Sequence, residues 1–219
     1  MSPGLRARVR AMAEPVAAVF GRVGLTPNHL TLIGFVIACI AAWAAAGQAW
    51  LAAGLLVVFG AVFDLFDGAL ARATGTASRF GAFLDSTFDR WGEGVVYVGI
   101  LVGTLDMGIW RPVVLTGAAA VSAFMVSYTR AKSESLGFTP GSGMASVGLA
   151  PREVRIVILT VGLLAAGALS AELPEGGAGG AAYPLSALAL EAALGLIAIL
   201  ATITTLQRIL HVRAQAKEG

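Results

Sequence analysis

Six apolar stretches, each long enough to cross a lipid bilayer, dominate this 219-residue sequence. A helix needs about 20 apolar residues to span the hydrocarbon core of a membrane. Charged residues make up 13% of the chain, against roughly 25% in an ordinary soluble domain, and the mean hydropathy is +0.81. The predicted spans are residues 29–47, 50–72, 81–104, 110–132, 152–170 and 184–208. These features predict an all-α integral membrane protein, a six-transmembrane-helix bundle with membrane lipid around it and no nucleic-acid partner.

The distribution of basic residues predicts the orientation of the bundle. Of the fifteen lysines and arginines, all but Arg111 fall on one side of the membrane under this topology. The side rich in lysine and arginine is cytoplasmic in most multi-pass proteins. Trp50, Trp110 and Tyr183 fall at span ends on the other side, where interfacial aromatic residues are common. Both termini are therefore predicted to be cytoplasmic.

The chain divides into one membrane domain and two short flanking segments. Residues 1–25 mix arginine with apolar residues and carry Pro15 in the middle, a pattern that favours an amphipathic interfacial helix on the cytoplasmic face. Residues 26–213 hold the six spans, and 214–219 form a polar tail. Because the connections are short, we expect consecutive spans to lie antiparallel in one bundle.

Four aspartates lie close to the cytoplasmic ends of the second and third spans, in the segment "DLFDGALARATGTASRFGAFLDSTFDR". Asp64 and Asp67 precede the end of the second span, and Asp85 and Asp89 follow the start of the third. At about 1.5 Å of rise per residue, both pairs lie about 6 to 12 Å below the cytoplasmic surface. Spacings of i,i+3 and i,i+4 put each pair on one helix face. The two spans are expected to be adjacent and antiparallel, so the four carboxylates can converge on one shallow cavity.

Four ionised carboxylates repel one another in a medium of low dielectric constant, so they either share protons or bind cations. Oxygen ligands favour a hard divalent ion such as Mg²⁺, and two such ions would offset four charges. Paired metal ions held by carboxylates are typical of displacement at phosphorus. Gly68 and Gly81 leave room for a diphosphate or a neighbouring helix, and Arg72 lies within reach of a phosphate oxygen.

The spacing of these residues resembles a family signature. The segment from residue 64 to residue 89 fits D-x2-D-G-x2-A-R-x8-G-x3-D-x3-D at every fixed position, the pattern of the CDP-alcohol phosphotransferases. The preceding "LTPNHLTLIG" and the six-span layout are also similar to that family. The resemblance implies that the four aspartates hold two divalent cations, Mg²⁺ or Mn²⁺, and that Asp89 is also the general base. The residues implied to surround the cytidine diphosphate are Asn28, His29, Leu30, Thr31, Gly68, Arg72 and Ser78.

The resemblance implies a reaction of phospholipid biosynthesis. A phosphatidyl group passes from CDP-diacylglycerol to the hydroxyl of a polar alcohol, and CMP is released. It also implies a homodimer in the inner membrane of a bacterial cell, with the active site facing the cytoplasm.

A basic cluster at the cytoplasmic mouth favours an acceptor that carries a phosphate. Its members are Arg130, Lys132, Arg152, Arg155 and Arg208. Arginine suits multidentate contacts to phosphate, although these residues also satisfy the positive-inside rule. The stretches "VSYTRAKSE", "REVRIVILT" and "LQR" resemble the actinobacterial phosphatidylinositol-phosphate synthases, which have lysine in place of Arg130 and arginine in place of Lys132. That resemblance implies inositol 1-phosphate as acceptor, ahead of glycerol 3-phosphate and of unphosphorylated serine or inositol.

Other readings remain for the acidic residues. An intramembrane ion-coupled transporter also buries acids, but its site is typically near the bilayer midplane, between repeats or broken helices. Glu93, one turn beyond Asp89, is expected to pair with Arg90 or Arg72 or to face a dimer interface. Glu191, in the sixth span, has no partner that the sequence suggests.

Overall fold

Six long helices account for most of the computed structural model, which describes residues 19–22, 24–138, 147–170 and 183–218. The helices are α1 (Pro27–Ala46), α2 (Trp50–Ala73), α3 (Arg79–Asp106), α4 (Trp110–Ser135), α5 (Arg152–Ser170) and α6 (Leu185–Glu218). No strand occurs in the described ranges, which confirms the all-α prediction. The first five helices match the predicted spans within a few residues. The sixth continues beyond residue 208, so most of the predicted tail is helical.

Five of the six helices are long and apolar enough to cross a membrane: α1, α2, α4, α5 and α6. The exception is α3, because its first half carries Asp85, Asp89, Arg90 and Glu93. Large apolar side chains cover the outside of the bundle, and Trp43 is 80% exposed. An apolar exterior of this kind is expected where lipid replaces water as the solvent.

Local sequence signals explain where the helices begin. Thr26 caps α1 by accepting a hydrogen bond from the backbone N–H of His29, whose ring in turn accepts one from the backbone N–H of Thr26. Pro27 follows at the first helical position, where its missing N–H costs nothing. Ser78 caps α3 by accepting from the backbone N–H of Gly81. The turn between α2 and α3 contains Gly75 at a φ of 66°, a left-handed conformation that suits glycine.

The helices form a closed ring in the order α1, α2, α5, α6, α4, α3, with each helix packed mainly against its two neighbours. One end of the ring, where α1, α3 and α5 begin, holds the aspartates and most of the arginines, and we call it the charged end. The prediction that α2 and α3 are adjacent is wrong, because α1 packs against both and separates them. Their carboxylates therefore approach each other across the interior of the ring.

The predicted amphipathic helix over residues 1–25 falls almost entirely outside the described residues. Its described part, residues 19–22, is helical. The Phe20 ring lies 5.8 Å from the ring of Phe66 and 6.1 Å from that of Phe63, both on α2. This contact joins the segment before α1 to the charged end of the bundle.

Candidate active site

The carboxylates of α2 are held in place from α1. The hydroxyl of Thr31, in the second turn of α1, donates to Oδ2 of Asp67 at 2.9 Å, and Asp67 is buried. Asp64, one turn earlier on α2, lies against Gly34, where an added Cβ would come within 3.2 Å of Asp64 Oδ1. Gly34 therefore leaves space for that carboxylate, a role that the sequence did not reveal.

Arg152, the first residue of α5, joins the carboxylates of two other helices. Its Nη2 lies 2.9 Å from Oδ2 of Asp64 on α2, and its Nη1 lies 3.0 Å from Oδ2 of Asp89 on α3. Asp85, one turn before Asp89, is close enough to Asp64 and Arg152 for their charges to interact. Acids of α2 and α3 thus approach each other, and Arg152 lies between Asp64 and Asp89.

The donor chemistry of this group fits a hard divalent cation, because all four acids offer carboxylate oxygens. Within the described ranges, however, no three acidic, histidine or cysteine side chains are arranged to share one ion. The guanidinium of Arg152 lies where its contacts to Asp64 and Asp89 occupy oxygens that an ion would use. A cation on these two oxygens would therefore compete with the guanidinium.

Residues expected to contact the cytidine diphosphate gather at the mouth of the charged end. The position of a Cβ on Gly81 lies 3.2 Å from the Ser78 hydroxyl and 3.4 Å from Asn28 Oδ1, so the starts of α1 and α3 meet there. On α2, the Arg72 guanidinium folds back over Gly68, with Nη1 3.3 Å from the position of a Cβ. Gly81 thus lets the starts of α1 and α3 approach each other, and Gly68 lets Arg72 lie close to the α2 backbone.

Two other residues of the expected cytidine group are occupied elsewhere. The His29 ring accepts a hydrogen bond in the cap of α1. Leu30 is fully buried in a small apolar cluster with Ala69 and Leu70. Their side chains therefore support the fold of this region, while the backbone that carries them borders the mouth.

The five basic residues expected around an acceptor phosphate fall into different environments. Arg130 is paired with Glu134 at 2.8 Å on the surface of α4, and Lys132 is exposed. Arg152 contacts the aspartates, as described above. Arg208 is buried; its Nε donates to the Val147 carbonyl at 3.1 Å, and its Nη1 donates to the Val126 carbonyl.

Arg155 is the most deeply buried of the five, with 1% of its side chain exposed. It donates to both oxygens of Glu93, at 2.8 and 2.7 Å, and to the Ala150 carbonyl at 3.0 Å. The expectation that Glu93 pairs with Arg90 or Arg72 is therefore wrong. Because Glu93 is one turn after Asp89 and Arg155 one turn after Arg152, two successive acid–arginine pairs connect α3 with α5.

Two contacts involve residues that the sequence left unexplained. Thr204 on α6 accepts hydrogen bonds from the backbone N–H groups of Leu149 and Ala150, at 3.0 and 2.9 Å, and so fixes the start of α5. Gly148, with a φ of 118°, packs directly against Thr204. At the other end of the bundle, the Tyr183 hydroxyl donates to the carboxylate of Glu191, which the sequence had left without a partner.

A cleft opens from these groups into the bundle, with about 590 Å³ of empty space when its solvent-filled mouth is included. Its polar wall is formed by Thr31, Asp64, Asp89, Glu93 and Arg152. Deeper in the bundle, the walls are apolar side chains of α1, α2, α3 and α5. The cleft thus combines a charged mouth with an apolar interior, as an amphiphilic substrate requires.

Comparison with known proteins identifies the family. The model of the CDP-alcohol phosphatidyltransferase family matches residues 24–214. The chain is 39% identical over 160 residues to the archaetidylinositol phosphate synthase of Pyrococcus horikoshii, covering 73% of this chain and 80% of that protein. It is 36% identical over 212 residues to the phosphatidylinositol phosphate synthase of Mycolicibacterium smegmatis, covering 95% and 86%.

Solved structures agree with the sequence comparison. The crystal structure of Mycobacterium tuberculosis phosphatidylinositol phosphate synthase in complex with manganese and citrate matches with a TM-score of 0.76 at 30% identity, covering 91% of this chain and 88% of that chain. The same protein with CDP-DAG bound matches with a TM-score of 0.75 at 29% identity, covering 92% and 94%. The resemblance noted in the aspartate motif is confirmed, and this chain belongs to the CDP-alcohol phosphatidyltransferase family of multi-pass membrane enzymes.

Proposed function

We propose that this enzyme transfers the phosphatidyl group of CDP-diacylglycerol to inositol 1-phosphate and releases CMP. Relatives that match most of the chain are synthases of archaetidylinositol phosphate and phosphatidylinositol phosphate, and both names indicate an inositol phosphate product. The solved relative binds CDP-DAG. A cleft with a charged mouth and apolar walls suits a donor that is half nucleotide and half lipid.

The donor diphosphate is proposed to bind at the charged end. Asp64, Asp67, Asp85 and Asp89 would hold two divalent cations there, Mg²⁺ or Mn²⁺, and these would neutralise the diphosphate and the charge that develops in transfer. Manganese in the solved relative supports a divalent metal. The residues proposed to surround the cytidine diphosphate are Asn28, His29, Leu30, Thr31, Gly68, Arg72 and Ser78. The first four line the start of α1, and His29 and Leu30 would contribute through their backbone.

Asp89 is proposed to act as the general base. Its carboxylate takes the proton from the acceptor hydroxyl, whose oxygen forms a bond to the phosphorus attached to diacylglycerol. The bond from that phosphorus to the bridging oxygen breaks, and CMP leaves with the electron pair. Because Asp89 borders the cleft, it can reach an acceptor inside it. Most of the rate acceleration then comes from positioning and charge neutralisation.

The phosphate of the acceptor is proposed to bind the basic cluster of Arg130, Lys132, Arg152, Arg155 and Arg208. Arg155 and Arg208 are buried and already donate hydrogen bonds to protein oxygens. They would line the pocket and donate only their remaining N–H groups to the acceptor phosphate. Arg130 and Lys132 are more accessible and would make the outer contacts. Cations at this place favour a phosphorylated acceptor over serine or free inositol.

The proposed topology places six spans in the inner membrane of a bacterial cell. In this arrangement α3 crosses the membrane with the other five, its charged residues facing the interior of the ring. The charged end and both termini face the cytoplasm, which agrees with the positive-inside rule. In this proposal residues 26–213 form the membrane domain. We also propose a homodimer, as the family resemblance implies.

The observation that supports the proposal is that carboxylates of α2 and α3 approach each other beside the guanidinium of Arg152. The test supplies purified protein with CDP-diacylglycerol and Mg²⁺ and offers inositol 1-phosphate, glycerol 3-phosphate, serine and inositol in turn. We expect CMP release to be fastest with inositol 1-phosphate. A preference for glycerol 3-phosphate would reassign the acceptor, and reaction only with unphosphorylated alcohols would remove the role of the basic cluster.

A further inference from the structure

The two arginines that connect α5 with α3 differ in how firmly they are held. Arg155 is almost completely buried, and three of its nitrogens donate to protein oxygens. Arg152 has 25% of its side chain exposed, and its buried Nε has no partner among the described residues. Arg152 therefore makes the weaker set of contacts, although it binds two carboxylates.

The backbone below Arg152 is fixed, so only its side chain is free to move. Thr204 holds the two backbone N–H groups of Leu149 and Ala150 just before α5. Breaking the contacts of Arg152 to Asp64 and Asp89 then requires a change of side-chain rotamer and no movement of the helix. A side chain of this length on a fixed helix start can reach either the carboxylates or a ligand in the cleft.

The carboxylates in contact with this guanidinium are ones that a divalent cation would neutralise. Asp64 and Asp89 contact it directly, Asp85 and Glu93 lie nearby, and Arg90 adds a repelling positive charge. A divalent cation on the same oxygens brings twice the charge of the arginine and would repel it. The guanidinium and the metal ion therefore compete for the same carboxylate oxygens.

We propose that Arg152 is an exchangeable counter-cation of the active site. In the metal-free protein it neutralises Asp64 and Asp89, and a divalent cation displaces it as it binds. The released guanidinium then donates to phosphate oxygens of the bound substrates. This inference rests on the proposed function, which assigns cations to these carboxylates, and it adds a competition that ties metal binding to the position of Arg152.

Metal binding to full-length protein in detergent tests the competition without any turnover. Protein is stripped with a chelator and titrated with Mn²⁺ alone, and the free ion is followed by its electron paramagnetic resonance signal. The variants are Arg152→Met, which removes the competing charge, and Arg152→Lys, which keeps a charge without the two-pronged contact. Arg130→Met is the matched control. It also removes a positive charge from the charged end, but Arg130 pairs with Glu134 and not with the aspartates.

We expect Arg152→Met to bind Mn²⁺ about tenfold more tightly than the wild type. In the wild type, the ion must first break a charge-assisted hydrogen bond of Arg152, and in the variant this bond is absent. Arg152→Lys should fall between them, and Arg130→Met should change the affinity less than about threefold. Equal affinity in the wild type and Arg152→Met would overturn the inference and leave the metal site intact. Absence of Mn²⁺ binding in all four proteins would overturn the metal site as well.

A second measurement keeps the test valid if Arg152→Met fails to fold. Wild-type protein labelled with ¹⁵N-arginine is titrated with Mg²⁺ and followed by NMR. The Nε signal of Arg152 is identified as the one that is absent from the spectrum of the Arg152→Lys variant. We expect that signal to move on addition of Mg²⁺, because the side chain leaves the carboxylates. A signal that stays in place while Mg²⁺ binds would overturn the proposal.

Discussion

The charged end of the bundle and its other half are held together by different interactions. At the charged end, side chains from separate helices meet through ion pairs and hydrogen bonds, as in Arg152 with Asp64 and Asp89. In the other half, helices meet through small residues. An added Cβ on Gly99 would lie 2.1 Å from the Ala42 carbonyl oxygen, and one on Gly103 would lie 2.2 Å from the Ala45 oxygen.

These two kinds of contact have different consequences for function. Backbones that touch through glycine leave no room for adjustment, because interiors are close-packed. Polar contacts can be exchanged for equivalent contacts to a metal ion or a phosphate. The other half therefore acts as a fixed scaffold, and the charged end contains the groups that can respond to a substrate.

The largest effect is expected at the proposed general base of the charged end. Asp89→Asn removes the proton acceptor and one carboxylate ligand, and we expect CMP release to fall about a thousandfold. Asp106→Asn is the control, because Asp106 is an exposed aspartate at the other end of the same helix. Initial rates in the CMP assay measure both variants. Similar losses of CMP release in the two variants would contradict the assignment of catalysis to the charged end.

A smaller effect is expected at the buried pair of Glu93 and Arg155. Arg155→Met leaves Glu93 buried without its partner, which should lower the free energy of unfolding by about 3–5 kcal/mol. Because an apolar pair can replace a buried ion pair, the double variant Glu93→Met with Arg155→Met should recover most of that loss. Unfolding in denaturing detergent measures all three proteins. A double variant that is no more stable than Arg155→Met would mean that the pair does not act as a unit.

The smallest of the three effects is expected in the scaffold. Gly99→Ala forces a methyl group against the α1 backbone, and we expect it to lower the unfolding free energy by about 1–3 kcal/mol. Gly94→Ala, on the same helix, adds a methyl group where no atom lies within 4 Å and should stabilise the helix by up to about 1 kcal/mol. The same unfolding measurement compares them. If both variants change the unfolding free energy in the same direction, the close contact at Gly99 does not stabilise the bundle.

The sequence predicted the parts of this molecule that depend on local pattern. Helix ends followed from the apolar runs, and the approach of Asp64 to Asp89 was expected from their depth. The α6 helix continued past its predicted end because charged residues terminate a membrane span without terminating a helix. Chain length and hydropathy alone do not distinguish these two boundaries.

Contacts between distant helices were not predictable in the same way. The pairing of Glu93 with Arg155 depends on the ring order, which places α5 opposite α3 and puts α1 between α2 and α3. The position of Arg152 on the aspartates depends on the same order. Leu30 stands beside predicted site residues in the chain, but its side chain points into a core cluster. The pattern of a single sequence does not determine the order of the helices around the ring.

The central claim is that the α2 and α3 carboxylates bind a diphosphate through divalent cations. Binding of cytidine diphosphate to the purified protein tests this claim most directly. Calorimetry compares the wild type in Mg²⁺, the wild type in chelator, and Asp67→Asn in Mg²⁺. We expect binding in the first case and an affinity at least about tenfold weaker in the other two. Equal affinity with and without Mg²⁺ would contradict the account.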